Sequence, residues 1–372
     1  ITGEKTFKGL WSQAFGDRTA YVVDTIVCVQ CFLGGTIYIG LLGDIFLALL
    51  KGASFGVDIG IDMLPPGVVS RQGVILLITS SILFPLNLIK NLSSLGFTSI
   101  LGLCAVLYTT SFIVLRALDG SYSTDGKFVA DGAIDTPSFD SSTMWNLDVK
   151  SLILMSNLGV AFIAHYNAPT YYRELRKASP QTFPRMVRTS YAILFAIYVI
   201  TMCAGYMTFG DTAQCNILLN YHPHDVLALL GRWATACSTL FGFPLVFNGA
   251  REGFKNAAMA LDQPSISDPK NHVKLVVVML SCACMLAILV DDIKVIVGYS
   301  GAVLGSLLVY ICPPILYANI LKRYFGPESL EYKRGRRNLI LVPFGTSIAV
   351  VGVIVNYRQN YGLDSSSSVE GG

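Results

Sequence analysis

The sequence predicts an all-α, multi-pass integral membrane protein, and three observations predict it. Hydrophobic residues make up 53% of the 372 and charged residues only 14%, where a soluble domain carries about a quarter charged. The mean hydropathy is +0.56. The apolar residues also gather into runs of about 20, the length a helix needs to cross ~30 Å of hydrocarbon.

Nine such runs follow one another: Tyr21 to Leu50, Gln72 to Leu88, Leu95 to Ala117, Val149 to Tyr172, Met186 to Phe209, Val226 to Gly249, Val273 to Val290, Val295 to Leu321 and Asn338 to Val355. Residues 1–20 precede the first span, residues 21–357 form the membrane domain, and residues 358–372 are a tail whose end, from Asp364, is of low complexity and expected to be disordered. The chain starts at Ile1 with neither an initiator Met nor a signal peptide, so we expect a segment to precede it. With the N-terminal end placed in the cytoplasm, nineteen Lys and Arg fall on that side and eight on the other. That is the positive-inside asymmetry, and it puts the C-terminus outside or in a lumen. The acidic, Ser- and Gly-rich loop 118–148 then lies outside and is expected to be mobile. The one N-x-S/T sequon, Asn91-Leu92-Ser93, lies on the inner side and should carry no glycan.

The fourth span is the one the chain is organised around. Within Val149 to Lys177, the residues Asn157, Gly159, His165, Tyr166, Asn167 and Pro169 interrupt the apolar run. An unpaired polar group in hydrocarbon costs several kcal/mol, so such groups persist where they are buried in protein or line a wet cavity. We expect a discontinuous helix that unwinds near Gly159; the competing reading is a helix whose small residues allow close packing. His165 is a candidate proton acceptor, or else a neutral partner of a facing helix. Tyr166 and Asn167 could hold a zwitterion or join helices.

Elsewhere the polar residues are open to two readings. Asp24 and Asp44 are twenty residues apart in one helix, about 30 Å at 1.5 Å per residue, so they sit near opposite interfaces and cannot pair. In the sixth span, Ser238 and Thr239 could ligate a small cation or bond back to their own helix. Gly298, Gly301 and Gly305 form a small-residue stripe before Pro313-Pro314, which close packing and a kink explain. Eight of the nine cysteines lie in apolar runs, where they read as small buried hydrophobes. The pair Cys28 and Cys31 has no second pair to complete a zinc site. With no GxxxxGK[ST], no HExxH and no soluble domain left over, an enzyme is not expected, nor any metal or cofactor.

Several segments, spread over most of the chain, carry a resemblance. They are Ala14-Phe15-Gly16; Tyr38 before Gly43-Asp44; Pro85 to Leu92 with Thr98-Ser99; His165-Tyr166-Asn167-Ala168-Pro169 running into Tyr172-Arg173-Glu174-Leu175; Tyr206 to Gly210; Pro244 with Arg251; and Gly301-Ala302 before Pro313. In this order and spacing the chain resembles the amino acid/auxin permease family of the amino acid-polyamine-organocation superfamily, most of all its sodium-coupled neutral amino acid transporter branch. The resemblance implies a LeuT-like bundle of eleven helices, of which the nine here would be the third to the eleventh. It implies a secondary active transporter moving a small neutral amino acid by alternating access, coupled to H⁺ or Na⁺, without nucleic acid and as a monomer, in the plasma membrane or a vacuolar or lysosomal membrane. Asn157, Gly159, Ala161, His165, Tyr166 and Asn167 would then contact the amino acid. Ser238, Thr239, Gly242 and His165 are the ion-coupling candidates; at Gly242 the sodium-coupled members carry Thr, which turns attention to Ser238 and Thr239 or to a proton. The alternatives are an amino acid sensor signalling through its cytoplasmic loops and a truncated, non-transporting product.

Overall fold

A computed structural model describes residues 2–52, 67, 69–89, 96–130, 132, 134–140, 151–263, 266, 268–290 and 292–360. The sequon at Asn91 and most of the tail lie outside these residues. After α1 (Phe7–Phe15) come α2 (Ala20–Gly52) and α3 (Arg71–Ile78), which a π turn joins to α4 (Phe84–Leu88). Next are α5 (Gly96–Leu118), α6 (Ser151–Ala161) and α7 (Ala168–Glu174), then α8 (Thr182–Phe209), α9 (Val226–Ala260) and α10 (His272–Leu289). The last stretch holds α11 (Ile293–Ser300), two π turns, α12 (Cys312–Phe325), α13 (Leu330–Gly335) and α14 (Leu341–Asn360).

Eight helical stretches among the described residues are long and apolar enough to cross a bilayer, and they match eight of the nine expected spans. The ninth, Val149 to Tyr172, is present as the two short helices α6 and α7. Several spans outrun their hydropathy limits: α9 continues to Ala260, and the last begins at Leu330. Hydropathy stops at the first charges, whereas the backbone stays helical as long as its carbonyls find partners.

The residues before the first span form α1, capped by the Thr6 hydroxyl, which accepts the Gly9 N–H at 3.0 Å. It lies against α12, where the Arg323 guanidinium donates to the Gln13 carbonyl at 2.8 Å. We call this end, which also carries α13, the basic face. Asp24 pairs there with Lys8 at 2.9 Å, while Asp44 pairs with Arg71 at 2.7 Å, so the two aspartates do serve opposite ends of α2. The centre of the bundle is α2 laid along α9, with α5 and α10 against this pair. Phe243, Phe247, Ile39, Leu42 and Ile45 fill the space between them. Of the cysteines in apolar runs, Cys31, Cys284 and Cys312 are buried as expected. Cys104, Cys203 and Cys282 instead lie on outward helix faces, where lipid takes the place of core.

At the opposite end, which we call the loop face, the described part of the 118–148 loop is anchored rather than loose. Asp225, fully buried, caps α9, takes two bonds from the Arg116 guanidinium at 2.7 and 2.9 Å and accepts the Tyr122 hydroxyl at 2.9 Å. Arg116 also pairs with Asp119 at 2.6 Å and lies over the Phe128 ring at 5.1 Å. Tyr122, Phe209 and Tyr221 form a mutually edge-on aromatic cluster beneath. Polar composition suggested mobility; two buried aromatics and one buried carboxylate override it.

The glycine stripe packs as its small size suggests. A Cβ at Gly301 would overlap the Ser156 carbonyl, and Gly305 meets the Gly159 backbone, so α6 and the first π turn touch backbone to backbone. Gly301→Val should therefore lower stability by about 3 kcal/mol, the upper range for overpacking, read as a fall in melting temperature in detergent. A second expectation concerns acid. Burial raises the Asp119 carboxyl, but the bonds from Ser121 and Arg116 outweigh this and hold it below 3.8. Its stabilising contribution is whole above 3.8 and is lost as pH falls through the lower folded value. Melting curves between pH 6 and pH 3 should lose part of their acid slope in Asp119→Asn.

Candidate functional site

The interrupted span positions the site. α6 ends at Ala161, residues Phe162–Ala164 are not helical, His165–Asn167 form one 3-10 turn, and α7 starts at Ala168 with Pro169 in its first turn. The break is thus three residues beyond Gly159, which stays helical. Gly159 is small because Gly301 and Gly305 lie against it, so the close-packing reading holds at this position. Proline lacks the N–H that a helix interior needs and the first turn does not, so Pro169 suits the start of a new helix at Ala168.

A broken helix exposes carbonyls, and α8 supplies two phenols for them. The Tyr198 hydroxyl donates to the Ala161 carbonyl at 3.2 Å and the Tyr191 hydroxyl to the Phe162 carbonyl at 3.0 Å. Both rings also contact Phe162, Tyr191 stacked at 6.0 Å and Tyr198 edge-on at 5.1 Å. Seven residues separate the tyrosines, two helical turns, so they project from the same side of α8.

Beside the break lies a cavity of about 1090 Å³, lined by residues of α2, α3, α5, α6, α8, α9 and α11 and by Ala213–Leu219. Its α6 wall is Asn157, Leu158 and Ala161, positions that share one helix face, while Ser156 and Gly159 face the π turn on the other. The Asn157 Oδ1 is buried and has no hydrogen-bond partner among the described residues. The opposite wall carries hydroxyls: Thr109 and Thr235 meet at 3.3 Å, Thr110 and Thr201 at 3.0 Å, and Ser238 stands beside them. The remainder is largely apolar, with Ile37, Leu41, Ile113 and Met202. Toward the loop face, the pairs Arg71–Asp44 (2.7 Å) and Lys294–Asp292 (3.4 Å) set two positive charges against two negative ones. Arg71 also donates to the Ala287 carbonyl at 3.0 Å, fixing α3 to α10.

Of the residues singled out in the sequence, the cavity brings together Asn157, Ala161 and Ser238. The others lie elsewhere. Gly159 faces away, and His165, Tyr166 and Asn167 follow the break rather than line the cavity. The His165 Nδ1 is buried with no partner among the described residues. The Tyr166 hydroxyl accepts the Cys31 thiol at 3.7 Å, while the Cys28 thiol donates to the Ala250 carbonyl at 3.2 Å, so this cysteine pair ties α2 to its neighbours. The Thr239 hydroxyl donates to the Thr235 carbonyl at 2.8 Å, the back-bonded alternative. Gly242 lies against the Tyr38 ring at 3.6 Å.

Comparison with known proteins joins this geometry to a family. The family model of the transmembrane amino acid transporter proteins matches residues 2–358. The chain belongs to that family. Among curated relatives it is similar to the sodium-coupled neutral amino acid symporter 2 of Danio rerio, 24% identical over 263 residues, 67% of this chain and 52% of the relative. It is likewise similar to the vacuolar amino acid transporter 7 of Saccharomyces cerevisiae, 24% identical over 245 residues, 65% of this chain and 45% of the relative. The chain spans about half the length of these two relatives.

As a member of this transporter family, the chain carries site features that sequence reading missed. Arg71 entered only as one cation among those outside, although a strong base next to an apolar run was the signal that Asp44 had a partner. Tyr191 and Tyr198 gave a weaker one, two hydroxyls at helical spacing in an otherwise apolar span. Removing either hydroxyl leaves a carbonyl of the break without its donor. Tyr191→Phe and Tyr198→Phe should each cost about 1 kcal/mol and accelerate hydrogen exchange in residues 161–168 more than elsewhere.

Proposed function

We propose that the chain is the larger part of a secondary active transporter for small neutral amino acids, working by alternating access and coupled to H⁺ or Na⁺. The carrying observation is the helix break at Phe162–Ala164 beside a large cavity into which α6 presents Asn157 with an unpartnered amide oxygen. Discontinuous helices in transporters offer half-helix ends and free backbone groups to a zwitterion near the bilayer midplane. The names of the two relatives, one a sodium-coupled neutral amino acid symporter and one a vacuolar amino acid transporter, support the substrate class, and the second supports a vacuolar membrane as one location. On this reading the nine spans take the places of helices 3 to 11 in a LeuT-like fold, with the basic face in the cytoplasm, and one copy suffices.

The amino acid lies against Asn157 and Ala161, with the hydroxyl wall of Thr109, Thr110, Thr201, Thr235 and Ser238 opposite. An apolar wall and balanced rim charges suit a zwitterion without a charged side chain. The family resemblance extends the contact set to Gly159 backbone, His165, Tyr166 and Asn167 in a second conformation, in which the break rotates these groups toward the ligand. Ser238 is the hydroxyl that lines the cavity and could meet a cation there, Thr239 lies off the cavity wall with its O–H bonded to the Thr235 carbonyl, and His165 is the residue to test for a proton.

Uptake by the complete protein in liposomes decides the reading. Labelled neutral amino acid should accumulate under an imposed H⁺ or Na⁺ gradient; binding without accumulation would instead make it a sensor. Asn157→Leu should reduce uptake at least tenfold with unchanged insertion, while Asn157→Ser keeps part of it. Gly242→Thr tests ion choice cleanly, because a Cβ there meets only the Tyr38 ring at an ordinary 3.6 Å. The variant should fold normally and show stronger sodium dependence of uptake.

A further inference from the structure

The turn between the last two spans gathers an unusual charge density. Lys322 and Arg323 end α12, and Lys333, Arg334, Arg336 and Arg337 follow within and just after α13, six cations against the two carboxylates Glu328 and Glu331. All six are exposed. Lys333 pairs with Glu328 at 3.0 Å and Arg323 is held by the Gln13 carbonyl. Lys322, Arg334, Arg336 and Arg337 form no ion pair among the described residues.

The turn is built, not floppy. Gly326, at φ +85°, stops α12 in a conformation that side chains disfavour, and the Ser329 hydroxyl caps α13 by accepting the Tyr332 N–H at 3.2 Å. Gly335 is buried against Leu321 and Tyr317 of α12, closely enough that a Cβ would overlap Leu321. The four cations of residues 333–337 therefore flank a docked glycine, pinned at the ends of two membrane helices.

Around them stand large apolar side chains left substantially exposed: Tyr324 at 47%, Phe325 at 46%, Leu330 at 59% and Ile340 at 74%. Aromatic and aliphatic groups at a span terminus lie at the level of the acyl chains and glycerol, which puts the neighbouring guanidinium groups among the headgroups. We propose that this turn is a binding site for anionic lipid of the leaflet on the basic face, selective for headgroups bearing more than one phosphate. Arginine forks pair with phosphate bidentately, and clustered cations directly beside a span gain about a factor of five in affinity each. The exposed apolar residues commit the site to a lipid rather than a soluble phosphate, because they need acyl chains to cover them. The site lies at the opposite end of the bundle from the cavity rim, and it does not depend on the transport reading.

The test uses the full chain in detergent, titrated with fluorescent short-chain phosphatidylinositol 4,5-bisphosphate, with phosphatidylcholine and soluble inositol 1,4,5-trisphosphate as parallel arms. The bisphosphate lipid should bind at least tenfold tighter than either, and binding should weaken as salt is raised from 50 to 500 mM. Arg334→Gln, Arg336→Gln and Arg337→Gln should each weaken it about fivefold and together about a hundredfold, whereas Arg185→Gln with Arg188→Gln, at the same face on α8, should leave it unchanged. Gly335→Leu keeps every charge but undocks the turn, and should weaken binding at least fivefold; it guards against a triple variant that inserts poorly. Equal affinity for phosphatidylcholine, equal affinity for the soluble headgroup, or undiminished binding by well-inserted triple and Gly335→Leu variants would overturn the proposal.

Discussion

A backbone inside hydrocarbon must find all its hydrogen bonds within the protein, and the interruption after Ala161 exists because two tyrosines meet that demand. Each carbonyl freed where α6 stops would cost several kcal/mol if left bare in lipid. Tyr191 and Tyr198 take the carbonyls of Phe162 and Ala161, and the aromatic contacts with Phe162 fix their rings. Much else follows from this. α8 must lie beside α6, α5 must support α8, and the α2–α9 pair must close the far side, leaving between them the space that Asn157 faces.

The break also separates two kinds of polar residue. Before it, Asn157 and Ala161 look into the cavity; after it, His165, Tyr166 and Asn167 lie toward the basic face, with Tyr166 tied to Cys31 on α2. Across Ile163 and Ala164 the backbone bonds among the described residues are local turns, from Ile163 N–H to the Val160 carbonyl and from Asn167 N–H to the Ala164 carbonyl, so the two short helices form no continuous ladder. The close backbone contact of Gly159 with Gly305 packs α6 directly against the π-helical turn.

At the two ends of the bundle, charge is used differently. The loop face neutralises its charges in pairs: Arg116 with Asp225 and Asp119, Arg71 with Asp44, Lys294 with Asp292. The basic face holds Lys322, Arg334, Arg336 and Arg337 with no ion pair among the described residues, beside exposed aromatic and aliphatic groups. Paired charges hold loops in place, whereas the cations of the turn between the last two spans stay exposed on a turn that Gly335 docks against α12.

Hydropathy and spacing placed eight spans in their order, put Asp24 and Asp44 at opposite ends of one helix, and marked the fourth run as interrupted, because these properties are local to a run of residues. They put the expected break near Gly159, three residues before Phe162, and left close packing open there, since a glycine reads the same whether the chain unwinds or another backbone passes close by; only the position of Gly301 and Gly305 distinguishes the two. The pairing of Arg71 with Asp44, the back-bonding of Thr239 and the solitary amide of Asn157 were likewise illegible. Each depends on how a helix is rotated about its axis against its neighbours, and that angle is set by packing between segments tens or hundreds of residues apart. Thus the sequence by itself determined which segments cross the membrane and which one is interrupted. Only the tertiary structure decided which faces of those segments meet, and so which buried polar groups find a hydrogen-bond partner among the described residues.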